Sequence, residues 1–135
     1  MLGWAIDREL VVDRALGLLR PLPEADAKIA SLFERVARAQ ADESVLLEAL
    51  VRLAATEEPT LDALREGAEL AGRLERTETH ERLLFRTVEV ARALSIVGEA
   101  VWAFTALAEA QRARGDVATA ISLLREAAGA TSGPD

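Results

Sequence analysis

Apolar residues recur at intervals of three and four along almost the whole chain. Turn-forming residues near positions 22, 42, 59, 78, 98 and 115 interrupt this pattern every 17 to 20 residues. No stretch alternates with the period of a half-buried strand, so the chain reads as all-α. Two of the interruptions match each other, Val97-Gly98-Glu99 and Arg114-Gly115-Asp116. Each reads as a helix closing on glycine, which tolerates the left-handed conformation, before an acid that favours the positive end of the next helix. Helices of similar length joined this tightly must fold back on one another, which predicts about seven antiparallel helices in a single domain.

The first helix is expected from about Asp7 to Arg20, carrying Leu10, Val11, Ala15, Leu18 and Leu19 and ending at Pro21-Leu22-Pro23. The second, about Glu24 to Gln40, has its stripe at Ile29, Leu32, Phe33, Val36 and Ala37. The third, about Glu43 to Thr56, is too broadly apolar for one buried face. Thr60 is a helix cap for the fourth, whose buried side is Leu61, Leu64, Ala68, Ala71 and Leu74, with Gly67 and Gly72 admitting a close neighbour. A fifth helix ends near Ser95 with Leu83, Leu84, Val88, Ala91 and Leu94 inward. The sixth runs from about Glu99 to Arg114, and the seventh, about Val117 to Ala128, buries Ala120, Ile121, Leu124 and Ala127 ahead of a frayed tail, 130–135. Pairing these helices gives an N-terminal helix within 1–23 and hairpins over 24–59, 60–98 and 99–129.

Composition removes several function classes. A net charge of −7 argues against a general nucleic-acid binder, which needs a basic face to displace counterions from phosphates. Cysteine is absent, and with it disulfides and thiolate chemistry. Asparagine and tyrosine are absent too, a depletion that fits either a thermophile or a GC-rich genome. Acids and arginines appear from Asp7 and Arg8 onward, too early for a signal peptide or a membrane span, so the expected location is the cytoplasm.

The segment from Val101 to Pro134 resembles a tetratricopeptide repeat, a motif of about 34 residues folded as two antiparallel helices. Phe104 stands at the family's bulky aromatic position, Leu107-Ala108 at its leucine and small residue, and Gly115-Asp116 at its interhelical turn. Ala120, Leu124 and Ala127 follow the small, large, small pattern of the second helix. Gln111 departs from the preferred tyrosine, and the expected proline comes about two positions late. The resemblance implies a TPR-like right-handed superhelix whose first helices line a groove for a peptide or partner helix. In that register Trp102, Thr105, Glu109 and Arg112 face the groove, with Arg65, Glu69 and Arg73 as the equivalent strip on the fourth helix.

Catalytic candidates are few. His80 is the only histidine, and the Glu-x-x-His spacing that would pair it with a carboxylate is filled by Thr77, so a solvated histidine near a helix start is the plain reading. Glu57-Glu58 flanks Pro59 in an exposed turn, and Arg73, Arg76, Arg82, Arg86 and Arg92 are balanced by Glu69, Glu75, Glu78, Glu81 and Glu89 as a mixed surface. Trp4 and Trp102 are the side chains best suited to an interface. The expected function is a non-enzymatic adaptor for a protein or peptide, with no catalytic set, metal or cofactor. The alternatives are a closed helical bundle holding a small ligand or metal, and a homodimer with the N-terminal helix docked across a twofold axis.

Overall fold

The computed structural model describes residues 14–22 and 26–132 of the chain. Among them there are seven helical segments and no strand: α1 (described over 14–19), α2 (Ala27–Gln40), α3 (Glu43–Ala54), α4 (Leu61–Arg73), α5 (Thr77–Ala93), α6 (Val97–Ala113) and α7 (Val117–Ser132). Leu10, Val11 and Trp4 lie outside the described residues. The chain divides into two compact units at Pro59 and Thr60.

In the first unit, Asp26 and Asp42 cap α2 and α3. The Asp26 carboxylate accepts from the Lys28 and Ile29 amides at 3.0 and 3.1 Å, and Asp42 accepts from those of Ser44 and Val45. These bonds satisfy amides that have no partner inside the helix. α2 packs on α3, and Leu16, Leu19, Phe33, Ala37 and Ala49 form the core. Arg52 is buried among them, its guanidinium 4.6 Å from the Phe33 ring centroid and donating to the carbonyls of Leu19, Arg20 and Leu22. A charged side chain thereby gathers the carbonyls at the end of α1 and in the turn that follows it. Leu32, expected in the buried stripe of α2, is 48% exposed, and Leu18 of α1 is 67% exposed; the packing side of each helix runs instead through Ala30, Phe33 and Ala37 and through Leu16 and Leu19.

The second unit repeats one helix and one link every 20 residues. Helices start at 77, 97 and 117, and the residues in left-handed conformation are Glu75, Ser95 and Gly115. At each link the same two hydrogen bonds close the helix. The left-handed residue donates to Gly72, Arg92 or Arg112, and the residue after it donates to Ala71, Ala91 or Gln111 at 2.8–2.9 Å. That second residue is at the same time the cap of the next helix, so a three-residue link suffices. Burial follows the same period: Leu64, Leu84 and Phe104 are 0%, 0% and 3% exposed, and Ala68, Val88 and Ala108 are also buried.

This register and the helix bounds correct four sequence expectations. Gly98 is not a turn; it lies in the first turn of α6, and Ser95 occupies the left-handed position instead. Leu94, expected inward, is 59% exposed because it belongs to the link. On α7 the side facing α6 is Ala120, Leu123 and Ala127, whereas Ile121 and Leu124 are 45% and 48% exposed on the other side. α7 also continues through Ser132, where a frayed tail was expected from residue 130.

Each helix of this unit packs along its length on its sequence neighbour, α4 on α5, α5 on α6 and α6 on α7. Long side chains also join alternate helices, Arg65 of α4 to Glu99 of α6 at 3.0 Å and Arg92 of α5 to Glu126 of α7 at 3.4 Å. The unit therefore has two layers, α4 beside α6 and α5 beside α7.

Candidate functional site

The layer formed by α4 and α6 carries all seven residues singled out from sequence, and Arg65 ties three of them together. Its guanidinium lies 4.3 Å from the Trp102 ring centroid, 3.0 Å from Glu99 Oε1 and 3.4 Å from Glu69 Oε1. The arrangement follows from helical spacing: Arg65 and Glu69 are one turn apart on α4, as are Glu99 and Trp102 on α6. A guanidinium held by carboxylates and stacked on an indole is worth about 0.5–1 kcal/mol from the stacking alone at a part-exposed site. Arg65 and Trp102 are both half-buried, leaving an edge open to solvent. Glu99 is the member that sequence reading missed, since a first-turn acid is already explained by the helix dipole. Its Oε2 is buried without a hydrogen-bond partner.

Beside this group is a hollow of about 350 Å³ lined by Asp62, Arg65, Glu66, Glu69, Leu70 and Arg73. Arg73 lines it two turns from Arg65. Along α6 the remaining strip is exposed: the Thr105 hydroxyl donates to the Val101 carbonyl of its own helix at 2.8 Å, and Arg112 pairs with Glu109 at 2.7 Å. The structure thus joins Arg65, Glu69 and Trp102 directly and sets Thr105, Glu109 and Arg112 along the same helix face without a bond to α4.

His80 behaves differently from a solvated histidine. It is half-buried in the first turn of α5, and its Nδ1–H donates to the Ala68 carbonyl of α4 at 2.7 Å. The ring lies against Gly72, where an added Cβ would sit 3.4 Å from it, so this glycine does admit a close neighbour. The histidine is a tether between two helices. Glu81 is likewise engaged, accepting from Gln111 and pairing with Arg114 at the end of α6. Among the described residues no three His, Asp or Glu side chains gather at metal-holding distance, and no helix is long and apolar enough to cross a membrane.

One carboxyl outside the layer is perturbed. Asp116 caps α7, accepting from the Thr119 hydroxyl at 2.8 Å and the Thr119 amide at 3.1 Å. These bonds favour the ionised form and, with Arg114 nearby, hold its pKa below the ordinary carboxylate value. Comparison with known proteins finds no family model, no curated protein and no solved structure that matches the chain.

Proposed function

We propose that the α4–α6 layer is the binding face of a non-enzymatic, cytoplasmic interaction module that grips a peptide or partner helix. The reading rests on one observation, the part-exposed Trp102 carrying Arg65 in a fixed orientation beside an open hollow. Tryptophan and arginine dominate binding energy at protein interfaces because they bring large contact area and directional donors. Here the ion pairs to Glu99 and Glu69 orient the guanidinium before any partner arrives, which lowers the ordering cost of association. The tetratricopeptide-like pattern of residues 101–134 supports the same face, since it places Trp102, Thr105, Glu109 and Arg112 toward a groove.

The test is affinity capture from the native host with the double variant Trp102→Ala, Arg112→Glu. Loss of a hot-spot aromatic together with a charge reversal is expected to weaken partner capture at least tenfold, about 1.4 kcal/mol. Circular dichroism should remain unchanged. Capture equal to that of the parent protein would remove this face from consideration.

A further inference from the structure

The outer side of α7 is equivalent, position by position, to the sides of α4, α5 and α6 that the following helix buries. Leu124 corresponds to Leu64, Leu84 and Phe104, yet it is 48% exposed where they are at most 3% exposed. Ala128 corresponds to the buried Ala68, Val88 and Ala108 but is exposed. Ile121, at 45% exposure, corresponds to the half-buried Leu61, Glu81 and Val101. With Val117, these residues form an apolar line at 117, 121, 124 and 128, the alternating four and three spacing of a helix–helix seam. The helix is also poor in charge: Arg125 and Glu126 are its only ionisable residues, whereas α5 carries six Glu and Arg in a similar length.

We propose that this face binds a second copy of the chain, α7 packing antiparallel on α7 across a twofold axis. The occupant follows from the symmetry of the spacing. Read backward, the intervals of four, three and four are unchanged, so a reversed copy sets Ile121 of one protomer opposite Leu124 of its partner, and Val117 opposite Ala128. Every apolar position meets another, as a self-complementary interface requires. The same pairing sets Arg125 opposite Ala120 and Glu126 opposite Thr119, so no like charges are directly opposed. The second copy's α7 takes the place that the following helix takes on α4, α5 and α6, antiparallel as each of those is, and the face lies outside the α4–α6 layer proposed to hold a partner.

Sedimentation equilibrium of the full chain between micromolar and millimolar concentration tests this. A species of twice the 14.5 kDa chain mass is expected. Leu124→Glu and, independently, Ile121→Lys should weaken it tenfold or more while leaving the helical circular dichroism intact, since both sites are exposed. Phe85→Glu, at another exposed apolar site on α5, should leave it unchanged. Because the described chain has no cysteine, orientation can be read by oxidising mixed Ile121→Cys and Leu124→Cys proteins. The heterologous disulfide should outnumber either self-linked product. A parent protein that stays monomeric, a dimer indifferent to Leu124→Glu, a dimer lost in Phe85→Glu, or predominant self-linking at either site would each overturn the proposal.

Discussion

The links at 94–96 and 114–116 trace the same backbone path with different residues. Both place their middle residue in the left-handed region, Ser95 at φ 59° and Gly115 at φ 88°, and both close the preceding helix with the same pair of hydrogen bonds. Only one uses the residue suited to that conformation. Their last residues differ as well: Asp116 caps α7 through Thr119, whereas Ile96 offers α6 no side-chain cap. The link before α5 resembles the poorer of the two, with Glu75 left-handed and Arg76 at the cap position without a capping bond. The path is therefore dictated by the helices on either side, whose buried faces must meet in register, and local residue choice adjusts its cost.

Breaking the favourable link should have the largest effect. Gly115→Val forces a β-branched residue to a positive φ and is expected to cost about 2 kcal/mol in urea denaturation. A cost near zero would mean that the link can take another path. Repairing the unfavourable link comes next. Ser95→Gly combined with Gly98→Ala puts the glycine where the backbone is left-handed and removes it from the helix, where an added Cβ meets nothing within 4 Å. The combination should gain about 1 kcal/mol, and a loss would restore Gly98 as the turn residue.

The smallest effect belongs to the cap. Asp116→Ala should lower Tm by a few degrees at neutral pH. Since hydrogen bonding depresses the Asp116 pKa in the folded state, its contribution is present above the ordinary carboxylate pKa and fades as pH falls through the depressed value. The difference in Tm between parent and variant should therefore close in acid; a difference independent of pH would assign the effect to something other than the carboxylate.

This contrast also explains what could be read from the chain. The all-α class and the approximate helix lengths were legible because periodicity and Pro59, Thr60 and Gly115 are local signals. Ser95 and Glu75 were not, since neither residue advertises a left-handed turn; the hydrogen bonds around them depend on helices already packed. Ile121 and Leu124 read as buried from sequence, because apolarity alone does not say which neighbour covers a face. At the candidate site, Trp102 and Arg65 were legible as types suited to interfaces. Their stacking and the part of Glu99 depend on the alignment of α4 with α6, which no spacing within one helix reveals.

The single-helix period has a consequence for how such a chain can change length. Inserting or deleting one 20-residue unit preserves the path of the links and the pattern of buried positions, yet it reverses the direction in which all later helices run and transfers them to the opposite layer. Only changes of two units return the same side chains to the same face. Structural tolerance thus recurs with every helix, while the Trp102 face can be inherited intact only through even steps.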